Sequence, residues 1–361
     1  MVQVNCIGGI LDSSGYSVHT RNLANALSKV CDVKLTSSIP QNMVTQLSDN
    51  EVTMLKKPNK GEINLIITSP IYWKLHTNAK RNWVFLVWEG DKIPKSFLNE
   101  CMNPDIEYIF CPSNHTRDAI ISTIPEEQIG SEEIQKYAKL YDKIKLIPHG
   151  VDLSLFYPKD KPDIFTFLVN KGWRNLEDRG GTQYTIKAYL EEFKPEDNCQ
   201  MYVKINPAYG IPDINKMIEE LKPDKPLPRL VINIDNIPYN KLVDLYNQCH
   251  VLVSPTRAES FNIPCIEAMA CGLPVITTNF GGQTDFCNED NGWIIGGELE
   301  EVKHEIMYEN CRWLTPSIIE LRRAMRDAYN RHNLKERSNN AINKAKEFTW
   351  DKTASLIHSL I

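Results

Sequence analysis

Residues 254–274 read Ser-Pro-Thr-Arg-Ala-Glu-Ser-Phe-Asn-Ile-Pro-Cys-Ile-Glu-Ala-Met-Ala-Cys-Gly-Leu-Pro. Pro264 suits the first turn of a helix, where no amide donor is needed. Gly272 suits the helix C-terminal end, and Pro274 cannot continue it. The spacing therefore predicts a strand over Val251–Ser254, a loop over Thr256–Ile263, a helix over Pro264–Cys271 and a new strand over Pro274–Thr278. A strand, a helix and a second strand in direct succession form one unit of a parallel α/β sheet.

Outward from this unit the same alternation covers most of the chain. Short apolar, β-branched runs at Val2–Gly8, Val33–Ser37, Ile63–Thr68, Trp83–Trp88, Tyr108–Pro112 and Lys145–Pro148 read as one series of strands. Phe165–Val169, Met201–Ile205, Leu230–Ile234, Val251–Ser254, Pro274–Thr278 and Trp293–Ile295 read as a second. Runs that are apolar throughout fit strands covered on both faces. Helical patterns lie between them, as at Ser17–Val30. Pro148–Pro162, with its prolines, Gly150 and charges, reads as a linker and a hinge. Pro207–Arg229 reads as an irregular excursion, and after about Glu298 the strands stop and helices run to the end. The domain reading is 1–155, then 156–345, with a last helix over 346–361.

Composition excludes several classes. At 361 residues, 42% hydrophobic and 24% charged, the chain is a globular protein long enough for two domains. The net charge is −5, and the first 150 residues hold as many basic as acidic side chains. Nothing there favours nucleic acid as a partner. The ten cysteines are scattered, with no CxxC pair, and read as reduced, buried thiols rather than a zinc site. No apolar run approaches the ~20 residues of a membrane span, and no signal peptide is evident. The expectation is a cytoplasmic protein with no membrane span, peripheral to a membrane only if its acceptor is a lipid.

Three places carry chemistry. The loop Gly8–Tyr16 follows the first strand and opens a helix, so its backbone can approach an anion closely. It is not GxGxxG, and no acidic residue closes the second strand to hold a ribose, which argues against a nicotinamide dehydrogenase. In the 254–274 segment, Glu259 lies in the loop and Glu267 one turn into the helix. Amides around Ser260–Ile263 are placed to face an anion. Two carboxylates beside an anion-binding helix start suit a sugar nucleotide: the hydroxyls need acceptors and the diphosphate needs donors. The alternative is a surface Glu259 and a solvated Glu267. Third, Lys171, Arg174 and Arg179 follow the first strand of the second series as a candidate diphosphate clamp. The alternative there is a solvated charged loop.

Together these residues resemble the retaining glycosyltransferases of family 4. The resemblance is carried by His149-Gly-Val-Asp-Leu-Ser-Leu-Phe-Tyr-Pro158, by Glu259 and Glu267 with their flanking Pro and Gly, and by Gly281-Gly-Gln-Thr-Asp285 with Asn291-Gly292. Ser14-Gly15-Tyr16 and Trp88-Glu89-Gly-Asp-Lys-Ile-Pro94 add to it. It implies the GT-B architecture, an α/β fold of two Rossmann-like domains facing across a cleft. It implies that Glu259 contacts the donor sugar and Glu267 the ribose, with Arg174, Arg179 and Lys171 on the diphosphate. Gly15 is then near the phosphates, and the amides of Ser260, Phe261 and Asn262 help hold the transferred group.

The sequence departs from the family in four places, one of them Asp285, a structural carboxylate where glutamate is common. Arg179 stands where lysine is usual, Asn262 where the loop has glycine, and Trp88-Glu89 where many members have a histidine near the anomeric carbon. That last feature looks like a Trp-Glu subgroup, in which Glu89 or Asp91 binds the acceptor or assists proton transfer, with Glu89 the candidate taken forward.

The implied activity is transfer of a sugar from a nucleoside-diphosphate sugar to a hydroxyl acceptor on a glycan, a lipid or a protein, with retention. The second domain holds the donor. No cofactor or metal is expected, because the cations offset charge on the leaving diphosphate. A non-hydrolysing sugar-nucleotide epimerase and a non-catalytic sugar-nucleotide-binding protein are the alternatives.

Overall fold

A computed structural model describes residues 2–38, 45–125, 131–210, 212–303, 306–308 and 310–361. The chain divides into two compact units. The first comprises Met1–Gly150, Glu301–Arg312 and Trp350–Ile361; the second comprises Val151–Glu300 and Trp313–Thr349.

The first unit is built on strands β1 (Gln3–Gly8), β2 (Asp32–Ser37), β3 (Ile63–Ile67), β4 (Arg81–Phe85), β5 (Tyr108–Cys111) and β6 (Ile144–Leu146). They form one parallel sheet in the order β2-β1-β3-β4-β5-β6. This is the flavodoxin-like order extended by a strand, with its switch point between β1 and β3. The helix after β1 runs Gly15–Leu27, two residues earlier than the apolar pattern indicated, and Ser14 caps it through the Ser17 amide.

The second unit has β7 (Phe165–Lys171), β8 (Cys199–Ile205), β9 (Arg229–Asn233), β10 (Val251–Ser254), β11 (Val275–Thr278) and β12 (Gly292–Ile295). Their order, β12-β11-β10-β7-β8-β9, is the Rossmann order with the switch point between β7 and β10. Alternation along the strands divides the core into two layers. Phe167, Val169, Met201, Val203 and Val253 face one. Leu168 and Leu252 face the other, against Tyr246, Ile266 and Met269.

Three sequence expectations need correction. Ile214–Leu221, inside the supposed irregular excursion, is a helix capped by Asp213. Strands do not stop after Glu298: β13 (Gly297–Glu301) and β14 (Arg312–Pro316) form a two-stranded sheet. The linker reading fails from Val151 onward, because that part is fastened within the second unit. Val151 bridges to Thr349, Phe156 is fully buried, and Lys161 Nζ donates to the Cys271 carbonyl at 3.2 Å. All ten cysteines are buried thiols. Among the described residues no helix is long and apolar enough to cross a membrane.

Candidate functional site

The carboxyl ends of β7 and β10 flank the switch point of the second sheet, the place where doubly wound sheets bind ligands. Lys171 ends β7. Its Nζ lies 2.8 Å from Glu259 Oε2 and donates to Asn262 Oδ1 at 2.8 Å. Arg179 follows in the next loop. Its Nη1 donates to the Ala258 carbonyl at 3.0 Å and lies 3.8 Å from Glu259 Oε1. Lys171, Arg179, Glu259 and Asn262 are thus one cluster. Glu259 is not a surface residue: its side chain is 18% exposed, against 10% for Lys171. Burial opposes ionisation of Glu259, but Lys171 and Arg179 outweigh it and hold the carboxyl below its ordinary range.

The loop geometry explains why these residues meet. Asn262 adopts a left-handed backbone conformation, φ 73°, immediately before the helix Ile263–Ala270. Asparagine tolerates this conformation, so it can stand where glycine is usual. Its side chain also donates to Ser254 Oγ at 3.0 Å, tying the loop to the end of β10. Gly282 packs against the same loop so closely that a Cβ would lie 1.9 Å from the Ser260 carbonyl oxygen. Ser260 is buried, and its amide faces Glu259 Oε1 at 3.3 Å. The Phe261 ring is turned into the core against Phe286 and Phe348, which leaves only its backbone for a ligand.

The loop after β7 is shaped by Asp178. One carboxylate oxygen accepts from the Arg174 amide at 3.0 Å and the other from the Gly180 amide at 2.7 Å. Trp173 is fully buried beneath it, while Arg174 is exposed. Arg174 alone of the three cations lies on the exposed side of this loop.

Glu267 lies apart from this cluster and is 2% exposed, so it is no solvated helix residue. Tyr239 donates to one oxygen at 2.7 Å and Tyr246 to the other at 2.8 Å. Asn170, at the end of β7, donates in turn to the Tyr246 hydroxyl at 3.0 Å. Burial raises the Glu267 carboxyl to about 7, and the two tyrosines offset only part of that. A carboxylate has about four lone-pair sites, so two remain for ligand hydroxyls. The sequence does not point to Tyr239 and Tyr246, and it shows Asn170 and Asp178 only as neighbours of the cations, without a role. The available signal was weak, since a tyrosine at helical spacing reads as core.

In the first unit, Gly15 opens the helix beside the β1–β3 switch point. Asp12 Oδ1 accepts from the Ser14 amide at 2.9 Å, and Arg21 donates to the Ile10 carbonyl at 2.7 Å, so the loop is held from both sides. The Trp88–Asp91 loop is clasped by Tyr308 and Arg312 of the same unit. Tyr308 stacks on Trp88 with centroids 4.7 Å apart and donates to Glu89 Oε2 at 2.8 Å. Asp91 accepts from both the Arg312 amide and its guanidinium. Asp91 is thereby committed to structure, and Tyr308 orients the Glu89 carboxylate. His115 approaches the Glu89 carbonyl at 2.8 Å, and His149 is buried against His19 and Trp350.

Residues 209–308 match the family model described as glycosyl transferases group 1. The chain is 28% identical over 175 residues to a D-inositol 3-phosphate glycosyltransferase of Paenarthrobacter aurescens; the match covers 45% of this chain and 41% of that protein. The chain spans less than half the length of the curated relatives it matches first. Over its whole length it superposes on a sucrose-phosphate synthase from Thermosynechococcus elongatus, with a TM-score of 0.69, 16% identity and 98% of that chain covered. Anabaena HepE, solved in complex with UDP-glucose, matches with a TM-score of 0.65 and 13% identity, each chain covered completely. The chain therefore has the GT-B fold of glycosyltransferases, and its residues 209–308 match the glycosyl transferases group 1 family.

Proposed function

We propose that the chain is a glycosyltransferase that moves a sugar, most simply a hexose, from a nucleoside-diphosphate sugar to a hydroxyl acceptor, with retention and without a metal. The observation that carries the reading is the Lys171–Glu259–Arg179 cluster at the switch point of the Rossmann sheet. Without a ligand, Glu259 is the counter-ion of both cations. A diphosphate takes over that role and releases the Glu259 carboxylate to accept from sugar hydroxyls. Lys171 and Arg179, with Arg174 on the exposed side of the loop, then offset negative charge as the bond to the diphosphate breaks.

Glu267, held by Tyr239 and Tyr246, is the ribose acceptor in this account. Glu89, oriented by Tyr308, is the acceptor-side carboxylate. Gly15 gives close backbone approach to the phosphates. The hydroxyl acceptor is a glycan, a lipid-linked or a protein-linked group. HepE bound to UDP-glucose supports a nucleotide sugar as donor by analogy of fold.

A panel of nucleotide sugars in a thermal-shift assay tests the donor. A ligand at 100 times its Kd stabilises by roughly 2.7 kcal/mol. With the stabilising donor carrying an isotopic label in its sugar, transfer to acceptor is expected to persist in EDTA. Loss of transfer in EDTA, restored by manganese, would contradict the cation-based leaving-group mechanism.

A further inference from the structure

Lys204 lies on β8, one residue from its end, and is 4% exposed. Among the described residues it has no hydrogen-bond or ion-pair partner. A side chain so largely covered, with no anion beside its ammonium, favours a ligand that accepts from it. Burial brings its pKa down to about 8, and no neighbouring carboxylate offsets that effect. The mechanism above has no use for it.

Its place in the sheet says what it faces. The Cα partners of Lys204 are Asn170 on β7 and Asn233 on β9. Partners in register share a face, and alternation puts Lys204 on the face of Tyr202 and Leu168, the side of Tyr246 and the helix that carries Glu267. The neighbouring Asn170 reaches Glu267 through Tyr246.

The sheet order sets a direction along this edge. Glu259 follows β10, Lys171 ends β7, and Lys204 lies on β8, with neighbouring strands ~4.8 Å apart. With the sugar at Glu259 and the diphosphate at Lys171, the nucleoside extends toward β8 and β9.

We infer that Lys204 reads the base of the bound nucleotide, its ammonium donating to an exocyclic carbonyl oxygen, so that uracil and guanine nucleotides are selected over adenine nucleotides. This rests on the nucleotide-sugar reading of the site. An ammonium has three donors and no acceptor. Uracil and guanine offer it a carbonyl oxygen, whereas adenine presents an amino donor at the corresponding edge, which leaves the buried charge unpartnered.

The test is calorimetric titration of the full chain, wild type and Lys204→Met, with UDP, GDP and ADP. The wild type is expected to bind UDP or GDP more tightly than ADP. Lys204→Met should lose about tenfold or more of that affinity and leave ADP binding unchanged. Its melting temperature without ligand should hold or rise, since an apolar side chain of similar length replaces an unpaired charge. Lys204→Gln, a neutral donor, should retain an intermediate preference.

Equal loss for all three nucleotides would make Lys204 a phosphate contact and overturn the inference. Unchanged UDP and GDP affinities in Lys204→Met would also overturn it, while wild-type binding would leave the nucleotide-sugar reading standing. A wild type that binds none of the three contradicts that reading as well.

Discussion

Glu259 and Glu267 belong to one loop-and-helix segment, yet their surroundings drive them in opposite directions. Lys171 and Arg179 keep Glu259 ionised. Glu267 has only neutral hydroxyl donors, and burial raises it to about 7. The roles proposed for them separate in binding. Glu267→Gln should weaken donor and free nucleoside diphosphate alike. Glu259→Gln should leave nucleoside diphosphate binding nearly intact and reduce turnover. A hydrogen bond to a charged group is worth about 1.5–3 kcal/mol, so losses of roughly ten- to a hundredfold are expected by calorimetry and initial rates. Equal loss of nucleoside diphosphate binding in both variants would reverse the assignment.

The same environment fixes a pH dependence. The folded pKa of Glu267 lies above its unfolded value, so the native state holds the proton more tightly. This group's contribution is fully present below about pH 4.5, is lost as pH rises towards 7, and then stays lost. The change is at most about 3 kcal/mol at about 1.4 kcal/mol per pKa unit. His19 works the other way: burial lowers its pKa well below the ordinary value, and stability falls as pH drops below about 6.5. Both chains share His19, so denaturant unfolding of wild type and Glu267→Gln between pH 5 and 8 isolates Glu267. The stability difference between them should change across that range; parallel curves would mean that Glu267 is ionised throughout.

At the scale of elements, the Glu259 loop depends on its glycine neighbour. Gly282→Ala places a methyl within 1.9 Å of the Ser260 carbonyl, closer than any real Cβ contact, so the loop must shift. The expected cost is about 2–4 kcal/mol in unfolding free energy, with donor affinity falling too. A variant of wild-type stability and affinity would show that the loop tolerates the move. The strands were legible in sequence because most are apolar on both faces, β2, β6 and β9 being the exceptions: Val251–Ser254 was bounded correctly, and the other eleven to within a few residues. β13 was not legible, because Gly-Glu-Leu-Glu-Glu is exposed throughout and has no apolar pattern. The Ile214–Leu221 helix was hidden by prolines on both sides. The site was legible as residue types but not as partners. Glu259 and Glu267 stand out by motif, whereas Lys171 and Tyr246 reach them only through the crossovers of the sheet. The Asn262 departure is explained by its left-handed backbone, which no spacing argument reveals.

For the molecule as a whole, the two sheets differ in strand order, and candidate residues gather at the switch point of each. The Rossmann order of the second sheet opens its switch point between β7 and β10, and Lys171, Arg179 and Glu259 gather there. The first sheet opens between β1 and β3, beside Gly15. Tyr308 and Arg312 belong to the first unit and hold the Trp88–Asp91 loop, so Glu89, proposed above as the acceptor-side carboxylate, depends on residues far from it in sequence.

The proposed reaction is sugar transfer from the donor to a hydroxyl. It is tested most directly by following anomeric proton signals by NMR while the chain is incubated with the donor chosen by thermal shift, with and without a panel of hydroxyl acceptors. A new glycoside of the donor's own anomeric configuration is expected, formed only with acceptor, in step with release of nucleoside diphosphate and suppressed in Glu259→Gln. Conversion of the donor sugar to its epimer without any acceptor, or a donor that binds and is never consumed with any acceptor, would contradict it.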